Sequence, residues 1–231
     1  MRYLTILVMI FIINNLAYSQ THEIGGFVGG SNFIGDVGST KYISPNQLAF
    51  GGIYKWNRSP RHSFRFTAIF STLEGIDANS DDARRKQRGY SFDTNIVELS
   101  LGIEFNFLEF DLHETDGSSK SSPYLYSGIS YFRLDNYFFN SSGNIVDENT
   151  SSNVFSIPII LGYKTTFTDN IIAAFEIGAR YSFTDEIDGS VPDSDQLQDF
   201  SFGNVNNNDW YVFTGLTLTV TFGRKPCDCF F

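Results

Sequence analysis

Few side chains in this sequence can do covalent or metal chemistry, and their spacing argues against catalysis. Three histidines, His22, His62 and His113, are the only imidazoles available to activate a nucleophile for acyl transfer or lipid hydrolysis. None lies in a Gly-x-Ser-x-Gly context. The two cysteines, Cys227 and Cys229, stand one residue apart in the tail Lys225-Pro226-Cys227-Asp228-Cys229. They supply neither a disulfide framework nor a four-thiolate zinc site. The carboxylates Asp185, Glu186, Asp188, Asp193, Asp195 and Asp199 suit a hard cation, but their spacing is not that of the twelve-residue calcium loop. The basic run Arg84, Arg85, Lys86 and Arg88 follows Asp77, Asp81 and Asp82, and its guanidinium groups suit the phosphates of lipopolysaccharide or an exported partner. These residue types point to a noncatalytic protein with no cofactor and no metal.

Composition narrows the partners. Lys and Arg total 16 against 26 Asp and Glu, a formal charge of -10, so the surface does not neutralise a phosphate backbone and no nucleic acid is expected. Twenty-four Phe and 12 Tyr in 231 residues exclude a disordered chain. The first residues are set aside from the fold: Arg2 precedes an apolar stretch from Tyr3 to Ile13, and Ala17-Tyr18-Ser19 forms a small-x-small site. This predicts a cleavable secretory signal over 1–19, too short in its apolar part to span a membrane as a helix.

From Gln20 onward the periodicity is two, not 3.6. Val97, Leu99, Leu101, Ile103, Phe105 and Phe107 share one face, opposite Glu98, Ser100, Gly102, Glu104 and Asn106. A second such segment sets Trp210, Val212, Leu216, Leu218, Val220 and Phe222 against Tyr211, Phe213, Gly215, Thr217, Thr219 and Thr221. The third runs from Ile171 to Phe183. With weaker runs, the pattern predicts eight strands, over 22–34, 47–56, 62–73, 96–107, 122–134, 153–167, 171–183 and 210–222. Pro158 should leave a bulge or a poorly paired position in the sixth.

The connections alternate in length: 35–46 long, 57–61 short, 75–93 long, 109–121 intermediate, 135–152 long, 168–170 tight and 185–208 longest. Long loops at one end and short turns at the other predict an all-β, eight-stranded antiparallel transmembrane barrel of the outer membrane. It would occupy 20–223 and be followed by a periplasmic tail over 224–231. The competing architecture is a soluble lipocalin-like calyx with the apolar face inward. Against it, the polar face is small and ionisable where a calyx wants an apolar lining, and Trp56, Phe107, Trp210 and Phe222 sit at strand ends where interfacial girdles belong. With the apolar face on outer-membrane lipid, Arg65, Lys164 and Arg180 point inward with Glu98, Glu104 and Glu176. A paired network filling a closed lumen is expected of such groups.

Three stretches carry a family resemblance. They are Glu23-Ile24-Gly25-Gly26-Phe27-Val28-Gly29-Gly30-Ser31-Asn32-Phe33-Ile34-Gly35-Asp36; the Arg-rich connection followed by Ser91-Phe92, Ile96-Val97-Glu98-Leu99-Ser100 and Glu104-Phe105-Asn106-Phe107; and Pro123-Tyr124-Leu125-Tyr126-Ser127-Gly128-Ile129. Over these, the chain resembles the PorG-like family of small outer-membrane barrels of the Bacteroidetes. The resemblance implies a noncatalytic component of the type IX secretion system, associated with periplasmic ring or lipoprotein subunits. A general structural or adhesive barrel is the alternative. On the barrel topology the two other turns on the periplasmic side are too small for an interface. The candidate contacts are therefore Phe110, Leu112 and His113 in 109–121, and Arg224, Lys225, Phe230 and Phe231 in the tail.

Overall fold

The computed structural model describes residues 21–112, 119–204 and 207–223. Eight strands follow one another around a closed antiparallel barrel: β1 (Thr21–Ile34), β2 (Gln47–Asn57), β3 (His62–Ile76), β4 (Ser91–Asn106), β5 (Ser121–Phe139), β6 (Ile145–Thr168), β7 (Ile171–Ser182) and β8 (Trp210–Gly223). Closure is made by β1 on β8, in register from Thr21 opposite Gly223 to Ile34 opposite Trp210. Loops L1 (35–46), L2 (77–90), L3 (140–144) and L4 (183–209) leave the extracellular end. Turns T1 (58–61), T2 (107–120) and T3 (169–170) leave the periplasmic end, so strand number and order are the predicted ones, although L3 is shorter than T2.

The faces decide between lipid and calyx. Val97, Leu99, Leu101 and Ile103 on β4 are exposed, Leu101 by 63%, while Glu98, Ser100, Glu104 and Asn106 are buried in the barrel. Exposed Phe64, Phe66, Phe70, Ile129, Ile159, Leu161, Leu216 and Leu218 extend the belt around the circumference. Water does not tolerate a continuous apolar belt of this size, and a bilayer requires it. The chain is thus an outer-membrane β-barrel. The lipocalin alternative fails because its lining would have to be the face that lies outside.

Above the belt the two faces exchange character. On β4 the inward side chains change from Glu104, Ser100 and Glu98 to Ile96 and Phe92, and the outward ones from leucine and valine to Asn95, Asp93 and Ser91. On β5 the inward series runs from Tyr124 and Tyr126 to Phe132 and Leu134, with Arg133 and Asp135 outward. The extracellular part is therefore built like a water-soluble domain, with an apolar core of Phe33, Val37, Leu73, Phe92, Phe132, Phe139, Ile187 and Phe213. On β4, and on β5 as far as Asn136, the alternation continues through this change, because the change is of solvent and not of pleat.

Several boundaries differ from the sequence expectation for this reason. β4 begins at Ser91, not 96, and the long connection expected over 135–152 is instead the upper part of a β5–β6 hairpin closed by a five-residue turn. Its residues are polar on the outward face, which resembles loop composition. β4 and β5 pair only from Leu99 opposite Tyr131 to Asn106 opposite Tyr124, so the two hairpins part above that level. Aromatic contacts fill the opening: Tyr90 stacks on Phe139 at 4.4 Å, and Phe92 meets Tyr137 at 6.1 Å. Pro158 causes no bulge. It stands opposite Arg180 in the β6–β7 register, and the β5–β6 ladder is interrupted between Ser127–Ile159 and Ser130–Ser156, where the missing N–H weakens pairing. The register shifts lie elsewhere, at Asp135/Tyr137 and Thr166/Thr168.

Candidate functional site

The lumen at belt level is a filled, paired charge network. Glu104 on β4 is its hub: it accepts from Lys164 Nζ on β6 at 2.7 Å, from Lys55 Nζ on β2 at 2.8 Å, and from Arg65 Nη1 on β3 at 3.5 Å. Arg65 also forks onto Glu176 of β7, at 2.6 and 2.9 Å. The bidentate geometry fixes the guanidinium plane across the barrel. Tyr124 donates its hydroxyl to the same Glu176. Its ring lies where a Cβ on Gly162 would be, 2.3 Å from Cζ, so only glycine at 162 leaves room for that approach.

A second cluster sits nearer the extracellular end. Tyr211 donates to Glu98 at 2.6 Å, and Arg180 reaches Glu98 at 3.4 Å while donating to the carbonyl of Gly178 at 2.6 Å. Ser100 and Ser156 bond the hydroxyls of Tyr126 and Tyr211 at 2.7 and 2.9 Å. Toward the periplasm, Glu23 accepts from Asn57 at 2.9 Å and from Thr219 at 2.8 Å. The cations Lys55, Arg65, Lys164 and Arg180 stand against Glu23, Glu98, Glu104 and Glu176, four against four, all buried. Rings cover them: Arg65 over Tyr126 at 5.0 Å, Arg180 over Phe213 at 4.4 Å.

The six lumen residues named from sequence thus all line the lumen, Arg65, Glu104, Lys164 and Glu176 in one cluster and Glu98 with Arg180 in the other. Lys55 and Glu23 were missed. Lys55 lies between the outward Tyr54 and the girdle residue Trp56 in a weakly patterned, glycine-containing strand, and its alternation with those two aromatics was the available signal. In sequence the tyrosines Tyr124, Tyr126 and Tyr211 read as strand formers, whereas their hydroxyls serve the carboxylates and the serines beside them.

Both ends are shut. At the periplasmic end, Phe110 is buried, its N–H bonded to the carbonyl of Pro60 at 3.1 Å and its ring 4.6 Å from Lys164 Nζ. Expecting Phe110 to be an exposed partner contact is therefore incorrect: the chain at 107–110 folds back so that the ring plugs the barrel beneath the Lys164 ammonium. Leu112 is half-buried. His113, Arg224, Lys225, Phe230 and Phe231 lie outside the described residues, as do the first twenty residues, where a secretory signal is expected, and both cysteines.

The extracellular cap is tied by carboxylates to backbone N–H groups. Asp188 Oδ2 accepts from Asp36 and Val37 at 2.7 and 2.9 Å, and Asp209 Oδ2 accepts from Ile187 at 3.0 Å. Burial, reinforced by Asp188 and Asp36, pushes the Asp185 carboxyl up to about 8, and burial likewise raises Asp188 and Asp209. Among the described residues no group of three or more carboxylates, imidazoles or thiols is arranged to hold a metal ion.

The basic run is a helix, not a loop: α1 (Ala83–Arg88), N-capped by Asp82, whose side chain accepts from the N–H of Arg84. That bond and the Arg84 guanidinium hold the Asp82 carboxyl below its usual range. Arg88 is committed to structure, with Nε and Nη2 on Asp77 at 2.8 and 2.9 Å. Arg84 and Lys86 are exposed and Arg85 half-buried. Of the histidines, His22 bonds the hydroxyl of Tyr54 at 2.8 Å and stacks on Phe222. His62 Nδ1 lies 3.3 Å from Ser59 Oγ, but that oxygen already accepts the N–H groups of Arg61 and His62 as a turn cap, and the imidazole packs on Phe105. The geometry is that of a periplasmic turn.

The chain is similar in structure to Ail, the attachment invasion locus protein of Yersinia pestis, at 10% identity and a TM-score of 0.46, covering 89% of this chain and 100% of that one. It is also similar to Neisserial surface protein A, at 13% identity and TM-score 0.45 (88% and 97% covered). A major outer membrane protein of Thermus thermophilus shows 14% identity and TM-score 0.46 (89% and 100% covered). No curated protein matches by sequence. The family model described as a domain of unknown function, DUF6089, matches residues 1–231, and the chain belongs to that family.

Proposed function

We propose that this DUF6089 barrel is a noncatalytic outer-membrane subunit that presents docking surfaces to periplasmic ring or lipoprotein components of a type IX protein secretion machinery. The observation that carries the noncatalytic, nontransporting part is closure at three levels: the plug Phe110, the paired lumen charges around Glu104, and the aromatic cap. A barrel sealed in this way contributes surfaces and anchorage instead of a conduit. The secretion role rests on the sequence resemblance over 23–36, 91–107 and 123–129. With Phe110 committed to the plug, the candidate partner contacts that remain are Leu112, which is half-buried, and His113, Arg224, Lys225, Phe230 and Phe231, which lie outside the described residues.

A second function, as an adhesive or structural barrel acting from outside, is supported by the β5–β6 hairpin, which extends past the β4–β5 ladder into the exterior. One experiment separates the two. Residues 111–119 are replaced by a short Gly/Ser turn that retains Phe110, and the tail is removed after Gly223 in a separate variant. Secretion of cargo and co-purification with periplasmic machinery are compared with the parent at equal membrane levels. Docking predicts loss in at least one variant. Undiminished secretion and co-purification in both, and undiminished secretion in a strain lacking the gene, would leave the exterior function.

A further inference from the structure

Between L1, α1 and L4 the extracellular surface carries a cleft of about 420 Å³ lined by Asp36, Asp82, Arg84, Arg85, Arg88 and Asn204. Its arginines are not equivalent. Arg88 forms the wall: besides its fork onto Asp77, it donates to the carbonyl of Asp36 at 2.7 Å and lies 4.7 Å over Phe202. Arg85 is steadied by one bond to the carbonyl of Gly38 at 3.2 Å, which leaves most of its five donors without a hydrogen bond among the described residues. Arg84 pairs with Asp82 at 3.3 Å with its side chain 92% exposed, a contact of little energy that a better acceptor displaces. The opposite rim carries the Asp36 carboxylate, already accepting the N–H of Asn204 at 2.8 Å, and the Asn204 side-chain amide.

We propose that this cleft binds a phosphorylated sugar, with Arg84 and Arg85 on the phosphate oxygens and Asp36 and Asn204 on sugar hydroxyls. Both arginines line the same cleft, and guanidinium forks suit a tetrahedral oxyanion. The volume exceeds what inorganic phosphate fills, and the Asp36 and Asp82 carboxylates disfavour a bare multivalent anion while accepting hydroxyl donors. Position favours such a ligand too. The cleft lies above the apolar belt, on the side of the outer-leaflet headgroups. The same chemistry is offered by the phosphorylated core of lipopolysaccharide in this membrane and by soluble sugar phosphates. The inference does not depend on the secretion role.

The test uses the full barrel in detergent, with the double variant Arg84→Ala/Arg85→Ala, which leaves the Arg88–Asp77 clamp intact. Folding is checked by heat-modifiable mobility. Binding is measured for glucose 6-phosphate, glucose, inorganic phosphate and purified lipopolysaccharide with and without its core phosphates. Glucose 6-phosphate or phosphorylated lipopolysaccharide should bind at least tenfold more tightly than its unphosphorylated counterpart. The double variant should lose that preference, and 0.5 M NaCl should weaken binding. Preference for the soluble phosphate indicates a free ligand, and preference for lipopolysaccharide alone a lipid source. Inorganic phosphate binding as tightly as the sugar phosphate, equal binding by the folded double variant, or binding of none of the probes would each overturn the proposal.

Discussion

Glu104 gathers two ammonium groups and one guanidinium within 3.5 Å inside a closed lumen. Removing one member of such a group leaves the others charged and unpaired, which costs more than the intact network stabilises. Glu104→Ala should therefore destabilise the barrel by about 3–5 kcal/mol, read from urea unfolding in lipid vesicles. Lys164→Met should cost less in the Glu104→Ala background than in the parent, because the ammonium is then a liability. Equal costs in the two backgrounds would show the residues to be energetically independent. On the outward face, Leu101 lies between Phe66 and Ile129 in register and is open to lipid. Leu101→Arg should cost about 2–4 kcal/mol, near the value for a cation at mid-membrane. The neighbouring inward Ser100 is not neutral either. Its hydroxyl holds that of Tyr126, so Ser100→Ala should cost about 1–3 kcal/mol by orphaning a buried group.

The elements most sensitive to conditions are the extracellular loops. Asp188 and Asp209 tie L4 to L1 and to its own backbone while sharing a poorly solvated space with Asp185 and Asp36. Folded carboxyls raised above their free values bind protons that the opened cap releases. The stability these carboxyls contribute to the cap is thus fully present below the free carboxylate value, about 3.9, and is lost as pH rises, through about 8 for Asp185. Hydrogen exchange at the amides of Val37, Ile187 and Ser190, corrected for intrinsic rates, should show less protection at pH 9 than at pH 5. Asp209→Asn retains an oxygen for the N–H of Ile187 and removes one charge, so it should flatten this dependence. Protection that grows with pH would reverse the assigned sign.

At the scale of the whole molecule, the belt, the sealed lumen and the cap make a plugged post in the membrane. Reconstituted in a planar bilayer, it should give no stepwise conductance; regular current steps would contradict the closed lumen. Topology is checked in a background where Cys227 and Cys229 are changed to Ser. A cysteine placed at exposed Ser142 in L3 should react with an impermeant maleimide on intact cells. One at exposed Ser59 in T1 should react only after the outer membrane is permeabilised. The opposite labelling would invert the barrel.

Strand number, order and facing were legible from the chain, because each strand's period-two alternation and each connection's length are local properties. Glu98, Glu104, Arg65, Glu176, Lys164 and Arg180 could be placed inward from that alternation alone. Which carboxylate meets which cation or hydroxyl was not legible, since residues 113 positions apart, such as Glu98 and Tyr211, are joined by the curvature and stagger of the closed sheet. Nor was the height at which the lipid ends. Phe92, Ile96, Phe132 and Leu134 continue the inward series of polar residues without a break in pattern, and only the assembled cap shows that their surroundings change from polar lumen to apolar core. Phe110 illustrates the same limit. A phenylalanine in a polar connection is apolar surface by sequence, and its conversion into a plug was decided by the space beneath Lys164 and beside Pro60, residues distant in sequence that the closed barrel brings to Phe110.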